Sequence, residues 1–261
     1  MKKENKEKTT KKRRKFIFVK TETVNKNEKK SNGEIYTTGG QKATTNTKRI
    51  TAMGMFCAIA FVFKLISDFV PSIMPSAPFL SYDAKDIILA ISGFILGPLP
   101  AFAITVIVSF IEMVSVSTTG FYGLAMNIFA SSMFCVVPAI FYKRFKNLGG
   151  AIVGLIIGII SAVAAMLLWN YLITPGYMGV PRDVVAKMLL PVFLPFNLIK
   201  TGINASLTML LYKPVVNAMR QANLLEKKEE SKAKINIALI LTCIAILAIC
   251  ILAIILLNNV K

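Results

Sequence analysis

The amino-acid sequence predicts an all-α integral membrane protein, in which a six-helix bundle is followed by one additional C-terminal transmembrane helix. Composition is the first observation: of 261 residues, 55% are hydrophobic, 17% are charged and the mean hydropathy is +0.62. Soluble domains usually contain about 45–50% apolar and about 25% charged residues. The second observation is that basic residues concentrate at the N-terminus, and the third is that the remaining chain is a series of apolar runs.

The formal net charge of +18 does not indicate a nucleic-acid-binding domain, because most of the excess lies in a tail. Residues 1–50 contain 16 basic and 5 acidic side chains, whereas residues 51–225 contain 10 and 5. A nucleic-acid-binding domain would instead carry its basic groups on a folded face. We interpret residues 1–49 as a disordered, basic cytoplasmic tail that contacts anionic lipid or serves only as a topology signal. We expect no nucleic-acid partner.

Missing residue types exclude several kinds of chemistry. The sequence contains no histidine, which removes His-ligated metal sites and Ser-His triads. No GxxxxGK[ST] loop is present, so the chain by itself is not predicted to hydrolyse ATP. The cysteines lie in apolar runs without CxxC spacing and are predicted to be packing residues; they are Cys57, Cys135, Cys243 and Cys250. We predict no enzyme activity, no metal site and no cofactor.

Seven apolar segments are predicted to be helices, since a helix that crosses the ~30 Å hydrocarbon layer needs about 20 residues. Their approximate ranges are 50–70, 84–97, 100–116, 122–142, 149–172, 188–212 and 235–257. The first six form a domain at 50–220, and a charged cytoplasmic linker at 221–234 leads to the extra helix at 235–261. This extra helix consists mainly of Ile, Leu and Ala and is predicted to face lipid.

The distribution of basic residues predicts the orientation in the plasma membrane. With a cytoplasmic N-terminus, the tail, the connection after the fourth helix and the linker all lie inside, and these segments are rich in Lys and Arg. This agrees with the positive-inside rule. The basic residues assigned to the outer side are few: Lys85, Arg182, Lys187 and Lys261.

Small residues recur every fourth position in the fifth segment, at Gly150, Gly154, Gly158 and Ala162. Such a ladder lets another helix backbone approach closely in lipid. We interpret it as ordinary packing within the bundle.

Two polar side chains in the sixth segment are candidates for a binding site. Asn197 and Lys200 are three residues apart and therefore share one face of a helix. Pro195 is expected to free a backbone carbonyl nearby. Charged groups within lipid are costly and usually face a cavity or a partner. We favour ligand contact; the alternative is a structural lysine paired with Glu112, the acid of the third segment.

Other polar groups of the bundle are open to two interpretations. Asn170 and Tyr171 lie near the outer end of the fifth segment, where the amide of Asn170 needs a partner. Asn127 in the fourth segment either contacts a ligand or bonds a neighbouring helix. Lys64 and Asp68, four residues apart, are predicted to pair with each other.

The connection after the first segment mixes aromatic and charged residues at the outer mouth of the bundle. We expect Phe79, Leu80, Tyr82 and Asp83 to contribute to a pocket, and Asp83 or Asp86 to cap the second helix. The sequence contains no pair of nucleophile and base. A polar pocket with apolar walls therefore predicts binding rather than catalysis.

Three motifs together resemble the riboflavin-specific substrate-binding (S) components of energy-coupling factor (ECF) transporters: FLSYDAKD, NYLITPGY and LPFNLIKTG. The resemblance covers about residues 50–220. It implies a six-helix protein with both ends of the bundle in the cytoplasm, which binds the vitamin riboflavin near the outer face. It also implies three partners, namely a transmembrane scaffold subunit and two ATPase subunits.

The resemblance further implies site residues. Riboflavin contacts carry over to Asn170, Asn197, Lys200 and Glu112, and contacts to its ring system to Phe79, Leu80 and Asp83. Scaffold docking carries over to Gly54 and Ala58, a small-xxx-small pair on the first helix.

The long basic tail and the extra helix depart from the family, and we expect that helix on the side away from the scaffold. An S component for another vitamin remains an alternative. A remote alternative is a seven-helix protein that carries a chromophore on Lys200.

Overall fold

The computed structural model describes residues 47–70, 72–73, 77, 80–117, 119–145, 148–222, 224 and 237–259, and the fold within these ranges is helical. Residues 1–46 of the predicted tail and most of the predicted linker lie outside the described residues. The helices are α1 (Thr47–Ser67), α2 (Lys85–Leu96), α3 (Pro98–Ser115), α4 (Gly120–Phe145), α5 (Leu148–Met178), α6 (Arg182–Met188), α7 (Leu194–Gln221) and α8 (Ile237–Asn259).

The predicted fold class is confirmed. A π-helical segment, Leu189–Phe193, joins α6 to α7, so that Arg182–Gln221 forms one continuous helical run and the described residues contain seven helical runs. Five of these runs are long and apolar enough to cross a membrane, and Ile240–Leu256 of α8 is a shorter apolar stretch. The largest differences from the predicted ranges are in the last two runs of the bundle, since α5 continues to Met178 and the sixth run extends from Arg182 to Gln221.

Helix α2 lies at the centre of the bundle, where it contacts α3, α4 and α7. Its 12 residues span only about 18 Å, because an α-helix rises about 1.5 Å per residue. Ten successive residues, Lys85 to Phe94, are buried. The prediction that Asp83 or Asp86 caps this helix is wrong: the N-cap is Ala84, without a side-chain hydrogen bond. Both carboxylates instead face lysines.

The glycine ladder of α5 packs against α4, as predicted. A Cβ atom added to Gly154 would lie 3.0 Å from the carbonyl oxygen of Pro138, and one added to Gly158 would lie 2.5 Å from Cγ of Pro138. Pro138 lies inside α4 and is buried. Because Gly154 and Gly158 carry no side chain, α5 leaves the space that the proline ring of α4 occupies.

We expect Gly158→Ala to lower the free energy of unfolding by about 1–3 kcal/mol, the usual cost of overpacking. The matched control is Gly176→Ala on the same helix, where an added Cβ meets no atom within 4 Å. Because alanine favours helix over glycine by about 0.8–1.0 kcal/mol, the control should be neutral or stabilising. Thermal unfolding in detergent measures both; equal unfolding temperatures for the two variants would contradict the close α4–α5 contact.

Helix α8 packs against α7 and presents aliphatic side chains outward. Cys243 and Cys250 are buried, and the sulfur of Cys250 approaches Gly202 of α7, whose added Cβ would lie 3.3 Å from it. All four cysteines are free, in agreement with their predicted role as packing residues. The face of α8 that carries the cysteines thus faces the bundle, and Leu241, Ile244 and Leu252 are exposed on its other sides.

Candidate functional site

A cavity of about 310 Å³ lies among α1, α2, α3, α4, α5 and α7. Its walls combine charged and apolar groups. The charged residues that line it are Lys64, Asp68, Asp83, Asp86, Glu112 and Lys200. The larger apolar residues that line it are Leu80, Met126, Phe134, Met166 and Phe196. Ligand pockets typically measure about 300–1,000 Å³ and combine apolar walls with a few polar groups, so this cavity is of the right size and composition for a small molecule.

The π-helical segment places the two polar residues of α7 on the cavity wall. Pro191 and Pro195 lack backbone donors, and the helix is locally wider there. The Asn197 side chain donates a hydrogen bond from Nδ2 to the Phe193 carbonyl oxygen at 2.8 Å. Asn197 and Lys200 both line the cavity, as their spacing of three residues predicts.

Lys85 links the start of α2 to α3 through a buried ion pair. Its side chain is fully buried, and its ammonium group donates to Glu112 Oε2 at 2.7 Å and to Asp83. Because a buried cation of this kind requires carboxylate partners, Lys85 is compensated by these acids inside the protein rather than by solvent. The other oxygen of Glu112 accepts a hydrogen bond from Asn127 Nδ2 at 3.0 Å.

Helix α1 joins this network through Lys64. Its ammonium group lies 3.6 Å from Glu112 Oε1 and pairs with Asp68, which confirms the pairing predicted from their spacing. The carboxylate of Glu112 therefore interacts with two lysines, neither of which is Lys200. The alternative in which Lys200 pairs with Glu112 is wrong, because Lys85 and Lys64 occupy that position.

Lys200 instead faces Asp86. Its Nζ lies 4.0 Å from Asp86 Oδ2, and Oδ1 of the same carboxylate accepts a 2.5 Å hydrogen bond from Ser131. Three helices, α2, α4 and α7, thus meet at one buried carboxylate.

The residues before α2 are tied to α7. Tyr82 donates a hydrogen bond to Asn204 Oδ1 at 2.7 Å, and Asn204 Nδ2 donates to the Asp83 carbonyl oxygen at 3.0 Å.

Burial alone would raise the pKa of Asp83, but the ammonium groups of Lys85, Lys200 and Lys64 lower it to about 2. A carboxyl whose pKa is lowered by folding stabilises the fold above its ordinary value near 3.8, and this contribution is lost as the pH falls towards 2.

A second, smaller cavity of about 60 Å³ adjoins the first and shares Leu80 and Met126 with it. Asn170 lines this smaller cavity rather than the larger one. It accepts a hydrogen bond from Thr174 at 3.0 Å, but its buried Nδ2 has no hydrogen-bond partner among the residues that the structure describes. Trp169 forms part of the same wall and packs its ring against Phe129 at a centroid distance of 5.2 Å. A buried donor without a partner is a position where a ligand acceptor would be stabilising.

The remaining predicted site residues lie in different places. Phe79 lies outside the described residues. Tyr171 is 40% exposed and lines neither cavity. Tyr82 is buried behind the wall. Gly54 and Ala58 are exposed on one face of α1, and a Cβ added to Gly54 would meet no atom of the described residues within 4 Å.

Several wall residues were not singled out from the sequence. Asp86 was considered only as a helix cap, and Ser131 has no distinguishing pattern around it. Met126 and Met166 face the cavity from α4 and α5, but a methionine in an apolar helix carries no signal of this kind. The presence of two acids, Asp83 and Asp86, at the start of a buried helix was the one usable indication.

Comparisons with known proteins agree with the helical fold. Residues 48–212 match the family model of the ECF transporter substrate-specific component. The fold is similar to that of the S component of a bacterial ECF transporter whose structure and mechanism have been solved, with 25% identity and a TM-score of 0.57. The similarity covers 67% of this chain and 99% of that one. Among curated protein sequences, none matches this chain.

Proposed function

Because the chain belongs to the family of substrate-specific components of ECF transporters, we propose that it binds riboflavin in the two adjoining cavities and delivers it inward with an ATP-driven energy-coupling module. The family makes the chain a multi-pass membrane protein that acts in transport rather than in catalysis. The identity of the vitamin is the finer part of the proposal.

The observation that carries the proposal is that three distant motifs converge on adjoining cavities. FLSYDAKD contributes Asp83 and Asp86, NYLITPGY contributes Asn170, and LPFNLIKTG contributes Asn197 and Lys200. These are the segments in which the sequence resembles riboflavin-specific S components. Their convergence supports one ligand that contacts all three.

The chemistry of riboflavin suits these walls. Its ring system is flat and largely apolar, with carbonyl oxygens and ring nitrogens along one edge, and its ribityl chain carries hydroxyl groups. Met126, Phe134 and Phe196 offer apolar surface to the ring, while Asn170 and Lys200 offer donors to the polar groups. A flat apolar body with polar groups at defined positions is the kind of ligand that such a pocket binds.

Transport requires partners that the chain itself does not supply. We propose a transmembrane scaffold subunit and two ATPase subunits, with the exposed Gly54 and Ala58 of α1 as part of the docking face. Small residues on an exposed helix face allow close approach of a second helix in lipid. We also propose that the chain lies in the plasma membrane with its N-terminus in the cytoplasm, and that α8 lies away from the scaffold.

The test is the visible absorption spectrum of the detergent-purified full chain, followed by titration with riboflavin and detection of flavin fluorescence quenching. We expect flavin absorption bands or saturable quenching at sub-micromolar riboflavin, because S components must capture scarce vitamins. A panel of other water-soluble vitamins is added as competitors. A colourless protein whose thermal stability rises with another vitamin, and not with riboflavin, would contradict the riboflavin assignment and leave the family membership intact.

A further inference from the structure

Asp86 is a buried acid on the cavity wall with two partners from different helices. It is 4% exposed, accepts a hydrogen bond from Ser131 of α4 and lies 4.0 Å from the ammonium group of Lys200 of α7. Ser131 is itself 2% exposed. The hydroxyl group therefore fixes the carboxylate, and the carboxylate faces the lysine that the proposed ligand contacts.

The charges around the cavity are compensated, with acids in excess. The ionisable groups on the wall or directly behind it are Lys64, Lys85, Lys200, Asp68, Asp83, Asp86 and Glu112. Within the described residues, each of these three lysines has a carboxylate oxygen within 4.0 Å. The four acids outnumber the lysines by one. An anionic ligand group would therefore meet no uncompensated cation and would lie near surplus negative charge.

We propose that Asp86 is a specificity-determining residue. Its carboxylate is held by Ser131 and neutralises Lys200, so that the cavity selects an uncharged ligand over an anionic analogue. The choice of riboflavin as the probe rests on the proposed function. Without the Asp86 charge, Lys200 would be free to bind a phosphate or carboxylate group. Buried like charges disfavour a ligand strongly, which is how many sites reject the wrong partner.

Riboflavin and riboflavin 5′-phosphate form a matched pair of probes, because they differ by one phosphate group. The ratio of their dissociation constants is measured for the wild-type chain, for Asp86→Asn and for Asp183→Asn, a control that removes an exposed acid of α6 remote from the cavity lining. We expect wild type to bind the phosphate form at least about tenfold more weakly, and Asp86→Asn to reduce that ratio about tenfold, the size of one charge-assisted hydrogen bond. The control should keep the wild-type ratio.

Two results would overturn the proposal: a wild-type chain that binds both flavins equally, or an unchanged ratio in Asp86→Asn. A ligand-free measurement separates this proposal from the riboflavin assignment. Unfolding temperatures are compared for Asp86→Asn, Lys200→Met and the double variant. If the two groups form a pair, the double variant should unfold at a higher temperature than Lys200→Met, since no buried charge is left alone. Additive losses would refute the pairing even if no flavin binds.

Discussion

Lys85→Met is expected to destabilise the folded chain by about 3–5 kcal/mol, the usual effect of removing one partner of a buried ion pair. The ammonium group of Lys85 contacts both Asp83 and Glu112 at the start of the central helix. Its loss removes the ion-pair partner of Asp83 and leaves Glu112 with Lys64, whose ammonium group lies 3.6 Å from Oε1. Thermal unfolding of the detergent-purified chain, followed by circular dichroism, measures the change.

Two further variants decide the cause of that loss. Lys187→Met removes an exposed lysine of α6 and should leave the unfolding temperature unchanged. The double variant Lys85→Met/Glu112→Gln also removes one of the two carboxylates that Lys85 compensates and should recover part of the stability. If Lys85→Met unfolds like the Lys187→Met control, the pair does not contribute to the fold as we describe.

Lys200→Met is expected to weaken riboflavin binding by about 1–3 kcal/mol, or about 5- to 150-fold in the dissociation constant. The ammonium group lies on the cavity wall beside Asn197, and its loss removes a charged donor from the ligand. Fluorescence quenching titrations measure the dissociation constant. The unfolding temperature is recorded alongside, because the variant also deprives Asp86 of its counter-ion.

The control for this variant is Lys213→Met, which removes an exposed lysine 13 residues further along the same helix. It should bind riboflavin as the wild-type chain does. Asn197→Ala provides a second variant at the cavity that leaves the Asp86–Lys200 pair in place. Unchanged affinity in Lys200→Met, in a preparation that still unfolds cooperatively, would remove Lys200 from the site.

The parts of this structure that depend on local spacing could be predicted from the sequence. Long apolar runs predict the helices, and the three-residue spacing of Asn197 and Lys200 predicts that both side chains lie on one wall of the cavity. The four-residue ladder at Gly154 and Gly158 gave a close helix contact, because small residues on one face permit it. Each of these inferences uses only residues within a single helix.

The parts that depend on distant pairing could not be predicted. Lys85 and Glu112 are 27 residues apart, and no local pattern indicates that they meet. Asp83 or Asp86 is expected to cap α2, but both carboxylates face lysines instead. The resemblance groups Asn170 with Asn197 and Lys200 as riboflavin contacts, yet Asn170 lines the smaller, adjoining cavity. These contacts depend on how distant helices pack together, which no single segment of the sequence specifies.

The shortness of α2 has a consequence for how the chain enters the bilayer. At about 18 Å it cannot cross a ~30 Å hydrocarbon layer alone, and its first residues are charged. A single residue, Gly97, separates it from α3, and its positive φ of 95° forms a tight reversal. We therefore expect the translocation machinery to receive the two helices as one hairpin. The charges of Lys85 and Glu112 both lie within that hairpin, so they can compensate each other as soon as it forms. The carboxylate of Asp86 gains its counter-ion only when Lys200 has been synthesised. We therefore expect the burial of α2 to be complete only after α7 has joined the bundle.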